Sequence, residues 1–113
     1  MGTIIHHAIV ATTWSDEKFA KILKWVKNLP AQERAMFLMS KPKMNGYATV
    51  ILVPDGSKEG WAESDWGDQL RREFIHILEL DKYDDGSSPW DWVEIEFGES
   101  GQHIVDGNCE RVI

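Results

Sequence analysis

Apolar positions change their spacing several times along the 113 residues, and each change marks an element. Ile4-Ile5-His6-His7-Ala8-Ile9-Val10-Ala11 is short, β-branched and followed by a polar break, which predicts a buried strand lying centrally in a sheet. Ser15 then supplies a helix cap, and Phe19, Ile22, Leu23 and Val26 follow at helical spacing while Lys18, Lys21, Lys24 and Lys27 fall outside the stripe; Pro30 ends the run. Met36 to Ser40 and Tyr47 to Val53 are apolar runs separated by Pro42 and Asn45-Gly46, the turn chemistry of a hairpin. A second helix is predicted from Ser64 or Asp65 to about Leu80, with Trp66, Leu70, Phe74, Ile77 and Leu78 along one side. From Trp90 to Phe97 the period becomes two, which assigns Val93, Ile95 and Phe97 to the core and Trp92, Glu94 and Glu96 to an open face. The tail from His103 to Ile113 is expected to add an edge strand or hairpin.

The resulting order, β-α-β-β-α-β plus a C-terminal strand or hairpin, predicts one α+β domain over residues 1–113. Its expected architecture is a ferredoxin-like split βαβ sandwich, with an antiparallel sheet carrying two helices on one face. Such a fold hosts many activities and selects none.

Charge narrows the partners. The formal net charge is −7, which opposes bulk binding to nucleic acid or anionic lipid, and no apolar run approaches the ~20 residues of a membrane span. The charge is segregated: residues 1–54 carry three acids against seven bases, and residues 55–99 carry fourteen acids against four bases. Such asymmetry can steer partners or mediate self-association, or simply keep two faces solvated. Cys109 is the lone cysteine, which excludes an internal disulfide and a cysteine-based zinc cluster, and no leader-like segment opens the chain; a cytoplasmic protein is expected.

The tripeptide Asp-Gly-Ser occurs twice, at Asp55-Gly56-Ser57 and Asp85-Gly86-Ser87, each followed by tryptophan, Trp61 and Trp90. As punctuation it is a tight turn in which Asp accepts from the following backbone and Gly takes a positive φ. As a site it sets indoles beside hydroxyls and turn amides. The topology puts the two loops at opposite ends of the second helix, so a joint site would need two subunits. Arg71 and Arg72 are the bases of that acidic helix, either pairing with Asp68 or forming a fork for phosphate or carboxylate. His6 and His7, adjacent in a strand, point to opposite faces and cannot chelate one metal, and no HExxH, Walker, GxGxxG or GxSxG pattern occurs. No metal or cofactor is expected. An open sheet face bearing Trp92 calls for a cover, whether a second copy, a ligand or a foreign protein.

The segments IIHHAIVATTW, DGSKEGW, SDWGDQLRREFI and DGSSPWDWVEIEFG resemble a group of small uncharacterised phage and prophage proteins. The matching positions are His6, His7, Asp55, Gly56, Ser57, Glu59, Trp61, Ser64, Asp65, Asp68, Arg72, Asp85, Ser87 and Trp92. The resemblance implies viral origin, action in the host cytoplasm and a role against host defence. Within the setting that the resemblance implies, three readings stay open. The first is a non-catalytic homodimer that sequesters a small anionic ligand such as a nucleotide immune signal, using Trp61, Trp90 or Trp92 to stack, Arg71 or Arg72 to meet phosphate, and Ser57 and Ser87 as donors. The second is an inhibitor that meets a host protein through its acidic surface. The third is a small hydrolase pairing His6 or His7 with a carboxylate.

Overall fold

Nine residues of β1 (Ile5–Thr13) form the central strand of an antiparallel sheet of five, ordered β2-β3-β1-β4-β5. The structure, a computed structural model, describes residues 4–40, 46–57, 62–99 and 101–109. After β1 come α1 (Asp16–Lys27), a short α2 (Ala31–Arg34), β2 (Phe37–Ser40), β3 (Ala48–Leu52), α3 (Ala62–Leu80), β4 (Trp90–Gly98) and β5 (Gly101–Gly107). The class is therefore α+β. Residues 41–45 of the expected hairpin turn, with Glu59 and Trp61 of the first loop, lie outside the described residues.

Helix α1 forms as its sequence directs. The Ser15 hydroxyl accepts from the Lys18 amide at 3.2 Å, Asp16 and Glu17 occupy the positive end of the helix dipole, and Lys24 and Lys27 occupy the negative end. Its buried Phe19, Ile22 and Val26 share one core with Leu70, Phe74 and Leu78 of α3 and with Ile9, Ala11, Val50 and Leu52 of the sheet. Both long helices thus cover the same sheet face. Phe74 stacks on Trp25 at 6.1 Å between ring centres and meets Phe37 edge-on at 5.2 Å, geometries that the ring quadrupole favours.

Strand β4 reverses the expected faces. Its pairing with β1 sets Trp92 opposite Ala11 and Trp90 opposite Thr13, and directly opposed residues share a face. Trp90 and Trp92 therefore point under the helices, where they are 0% and 3% exposed, while Val93, Ile95 and Phe97 point away. Alternation distinguishes two faces without saying which is covered. Two indoles outweigh three smaller side chains in burying apolar area, and the helix-side positions of Glu94 and Glu96 follow from the same register.

The uncovered face is mainly apolar. One row crosses four strands as Leu38, Ile51, Val10 and Val93, and a second runs through Ala8, Ile95 and Ile104. His6 lies beyond them against Phe97, with ring centres 5.1 Å apart. Strand β5 is the edge strand expected of the tail, exposed along its length. Asn108 prolongs its ladder: its side chain accepts from the Trp92 amide at 2.9 Å and donates to the Trp90 carbonyl at 2.6 Å.

Candidate functional site

The first Asp-Gly-Ser turn leads from β3 towards α3 and is partly enclosed. Asp55 Oδ1 accepts from the Ser57 amide at 2.9 Å and from its hydroxyl at 2.7 Å, which leaves Oδ2 for Arg71 Nη1 at 3.5 Å. One turn back along α3, Asp68 takes the other end of the guanidinium, as the pairing reading of the helix anticipated. Arg71 is only 5% exposed, Ser57 7%. Gly67 makes the close approach possible, because a Cβ there would lie 1.8 Å from Asp55 Oδ2.

Beside this knot, β1, β4 and β5 contribute a row of alternating imidazoles and carboxylates. His7 Nδ1 lies 3.9 Å from Glu94 Oε2 and 3.8 Å from Glu96 Oε2, and His103 Nε2 lies 3.3 Å from Glu96 Oε1. Burial pushes the Glu94 carboxyl above its ordinary value of 4.5; the opposing pull of His7 and Arg71 is weaker, and Asp106 and Asp68 add to the rise. The sequence thus brings Asp55, Ser57, Arg71 and His7 into one neighbourhood, with Asp68, Glu94, Glu96, Asp106 and His103 as members that sequence reading did not place there. The β1–β4 register carries the signal that would have found them, because it sets Glu96 opposite His7.

The remaining candidates lie elsewhere. His6 faces the uncovered side of the sheet. Arg72 is exposed on α3, and Ser87 is exposed in the second turn, bonded through its amide and hydroxyl to Asp85. Trp90 and Trp92 are corrections to the expectation of stacking platforms: both are core residues with no face left for a ligand. The Trp90 indole donates to Asp81 Oδ2 at 3.3 Å, and Asp81, itself 5% exposed, also holds Lys21 Nζ at 2.8 Å. That pair raises the Lys21 pKa and ties α1 to the end of α3.

Chemically, the row can hold or pass a proton, and five carboxylates (Asp55, Asp68, Glu94, Glu96, Asp106) outnumber one guanidinium that two of them already engage. Among the described residues no group of three or more His, Cys, Asp or Glu is arranged to hold a metal ion, and no helix is long and apolar enough to cross a membrane. Comparison with models of protein families, with curated proteins and with solved structures finds no match for the chain.

Proposed function

We propose that the chain is a non-catalytic binding protein that meets a basic surface of another protein through the acidic cluster beside Arg71. In the phage setting that the resemblance implies, the partner is a host defence protein and the outcome is its inhibition in the host cytoplasm. The observation that carries this reading is the state of Arg71: enclosed and engaged by Asp55 and Asp68, it leaves the cluster to present carboxylate rather than cation. Of the groups expected to sequester a small anion, Trp90, Trp92 and Arg71 offer no free indole face and no free guanidinium, which leaves Arg72, exposed on α3, as the cation for that second reading.

The architecture is read here as ferredoxin-like. The order β2-β3-β1-β4 with all pairs antiparallel and both long helices on one face supports it, with β5 as an added edge.

The test is native mass spectrometry of the protein recovered from phage-infected cells with active defence systems. A bound basic polypeptide is expected, whose affinity falls steeply as ionic strength rises and falls again in the Glu96→Gln, Asp106→Asn double variant. A retained nucleotide-sized mass without a polypeptide would reverse the order of the two binding readings. Salt-insensitive association would remove the acidic cluster as the contact.

A further inference from the structure

We propose that the uncovered sheet face is the contact between two copies of this chain, stacked sheet against sheet around a two-fold axis near Val10 of the central strand. The first argument is electrostatic. In a chain of formal charge −7, the two apolar rows of this face hold no charged side chain and Glu94 and Glu96 point to the opposite side, while a polar row of Ser40, Thr49, Thr12 and the exposed Asp91 closes one end of the face. Two copies can therefore bring the apolar rows together with Asp91 left at the rim of the contact. The second argument is area. Strands of nine, four, five, nine and seven residues, at about 3.3 Å per residue and about 4.8 Å between strands, give a footprint of roughly 500 Å² per copy. Doubled, that reaches the ~1,000 Å² floor for a specific interface. The third is exposure: Leu38 is 58% and Ile104 70% exposed near opposite edges of this face, with Phe97 at 39%, a contiguous apolar patch that soluble monomers rarely leave open.

A two-fold stack is self-complementary, since each row meets its own counterpart. It also turns both acidic clusters outwards, so that one dimer carries two and gains avidity against a partner with repeated basic sites.

Sedimentation velocity over a concentration series tests the proposal on the full chain alone. A dimer is expected for the unaltered protein. In Leu38→Asp and Ile104→Asp, changes at positions open enough for the monomer to fold, the dissociation constant should rise by about a hundredfold, because a short carboxylate there is buried without a partner. A cross-link supplies the second measurement. In a Cys109→Ser background, Val10→Cys should yield covalent dimer with a short thiol cross-linker, and Glu73→Cys on α3 should not. A protein monomeric throughout the series, dimers that persist in both Asp variants, or cross-linking at Glu73→Cys alone would each overturn the sheet-to-sheet contact; the last two would point to the β5 edge or the helices instead. No other protein is present, so this result is independent of the proposed inhibition: a dimer that captures no basic polypeptide removes that reading and leaves this one standing.

Discussion

The two Asp-Gly-Ser turns have the same local geometry and different surroundings. In each, the aspartate accepts from the serine amide at 2.9 Å and from the serine hydroxyl at 2.6 to 2.7 Å, and the glycine adopts a positive φ, 76° at Gly56 and 88° at Gly86. Around the first turn, the second carboxylate oxygen of Asp55 reaches Arg71 across Gly67. Around the second, Asp85 and Ser87 stand in solvent. A tripeptide therefore sets the turn, and its tertiary neighbours decide whether the aspartate does anything more.

Arg71 separates the two most sharply. Arg71→Met should destabilise the fold by about 3 kcal/mol or more, because it leaves Asp55 enclosed without its cation and removes one of the two groups that favour the charged form of Glu94. Urea denaturation would read this as a lower midpoint at unchanged slope. An effect below about 1 kcal/mol would mean that water already screens the knot, and the first turn would then resemble the second. The turns can next be compared directly. Asp55→Ala should cost about 2 kcal/mol, the worth of charge-assisted hydrogen bonds lost from an enclosed site, while Asp85→Ala, in solvent, should shift the unfolding midpoint far less. Equal effects would show that the turn geometry, and not the contact with α3, carries the stability.

Local signals made most of the fold legible. Helix α1 is announced by Ser15, its apolar stripe and Pro30, and β1 by a β-branched run; both depend on neighbours in sequence. The assignment of faces in β4 depends instead on which strand lies beside it and where the helices end, and neither is a local property. Sequence reading therefore placed Trp92 outside and Val93 inside, and misjudged the chemistry of both faces. The same limit hid the candidate site. His7, Asp55 and Arg71 were each visible as residues, but their convergence with Glu94 and Glu96 requires a register between strands separated by most of the chain. The short α2 went unread because four residues are too few for a periodic pattern.

Gly67 offers a finer test, since helix propensity and tertiary contact disagree on its sign. On propensity alone, Gly→Ala within α3 should stabilise by about 1 kcal/mol. The Cβ would fall on Asp55 Oδ2, and Asp55 cannot yield without surrendering Ser57 or Arg71, so a net loss of about 1 kcal/mol or more is expected. Thermal unfolding of Gly67→Ala decides between the two. In the double variant Gly67→Ala, Asp55→Ala the obstruction is gone and the propensity gain should reappear, so a non-additive cycle would confirm that the contact is with Asp55.

The smallest effect separates the regions by pH. The Ser87 hydroxyl, with the Ser87 amide behind it, holds Asp85 below the ordinary carboxylate range of 3.8, so this group stabilises the fold at higher pH and loses that contribution as pH falls through its lowered value. Glu94, beside the first turn, is shifted the other way by burial. Its charged form is disfavoured in the fold, so Glu94 costs stability at neutral pH, and the cost is relieved as pH falls through its raised value towards 4.5. Glu94→Gln removes the charge and keeps the shape. The variant should be more stable than the parent at pH 7, and the two curves should converge below about pH 4.5, where the parent carboxyl is protonated in both states. A variant less stable at pH 7 would mean that His7 and Arg71 repay the burial of Glu94 in full, and the row of imidazoles and carboxylates would then be a strut of the fold rather than a charge held ready for a partner.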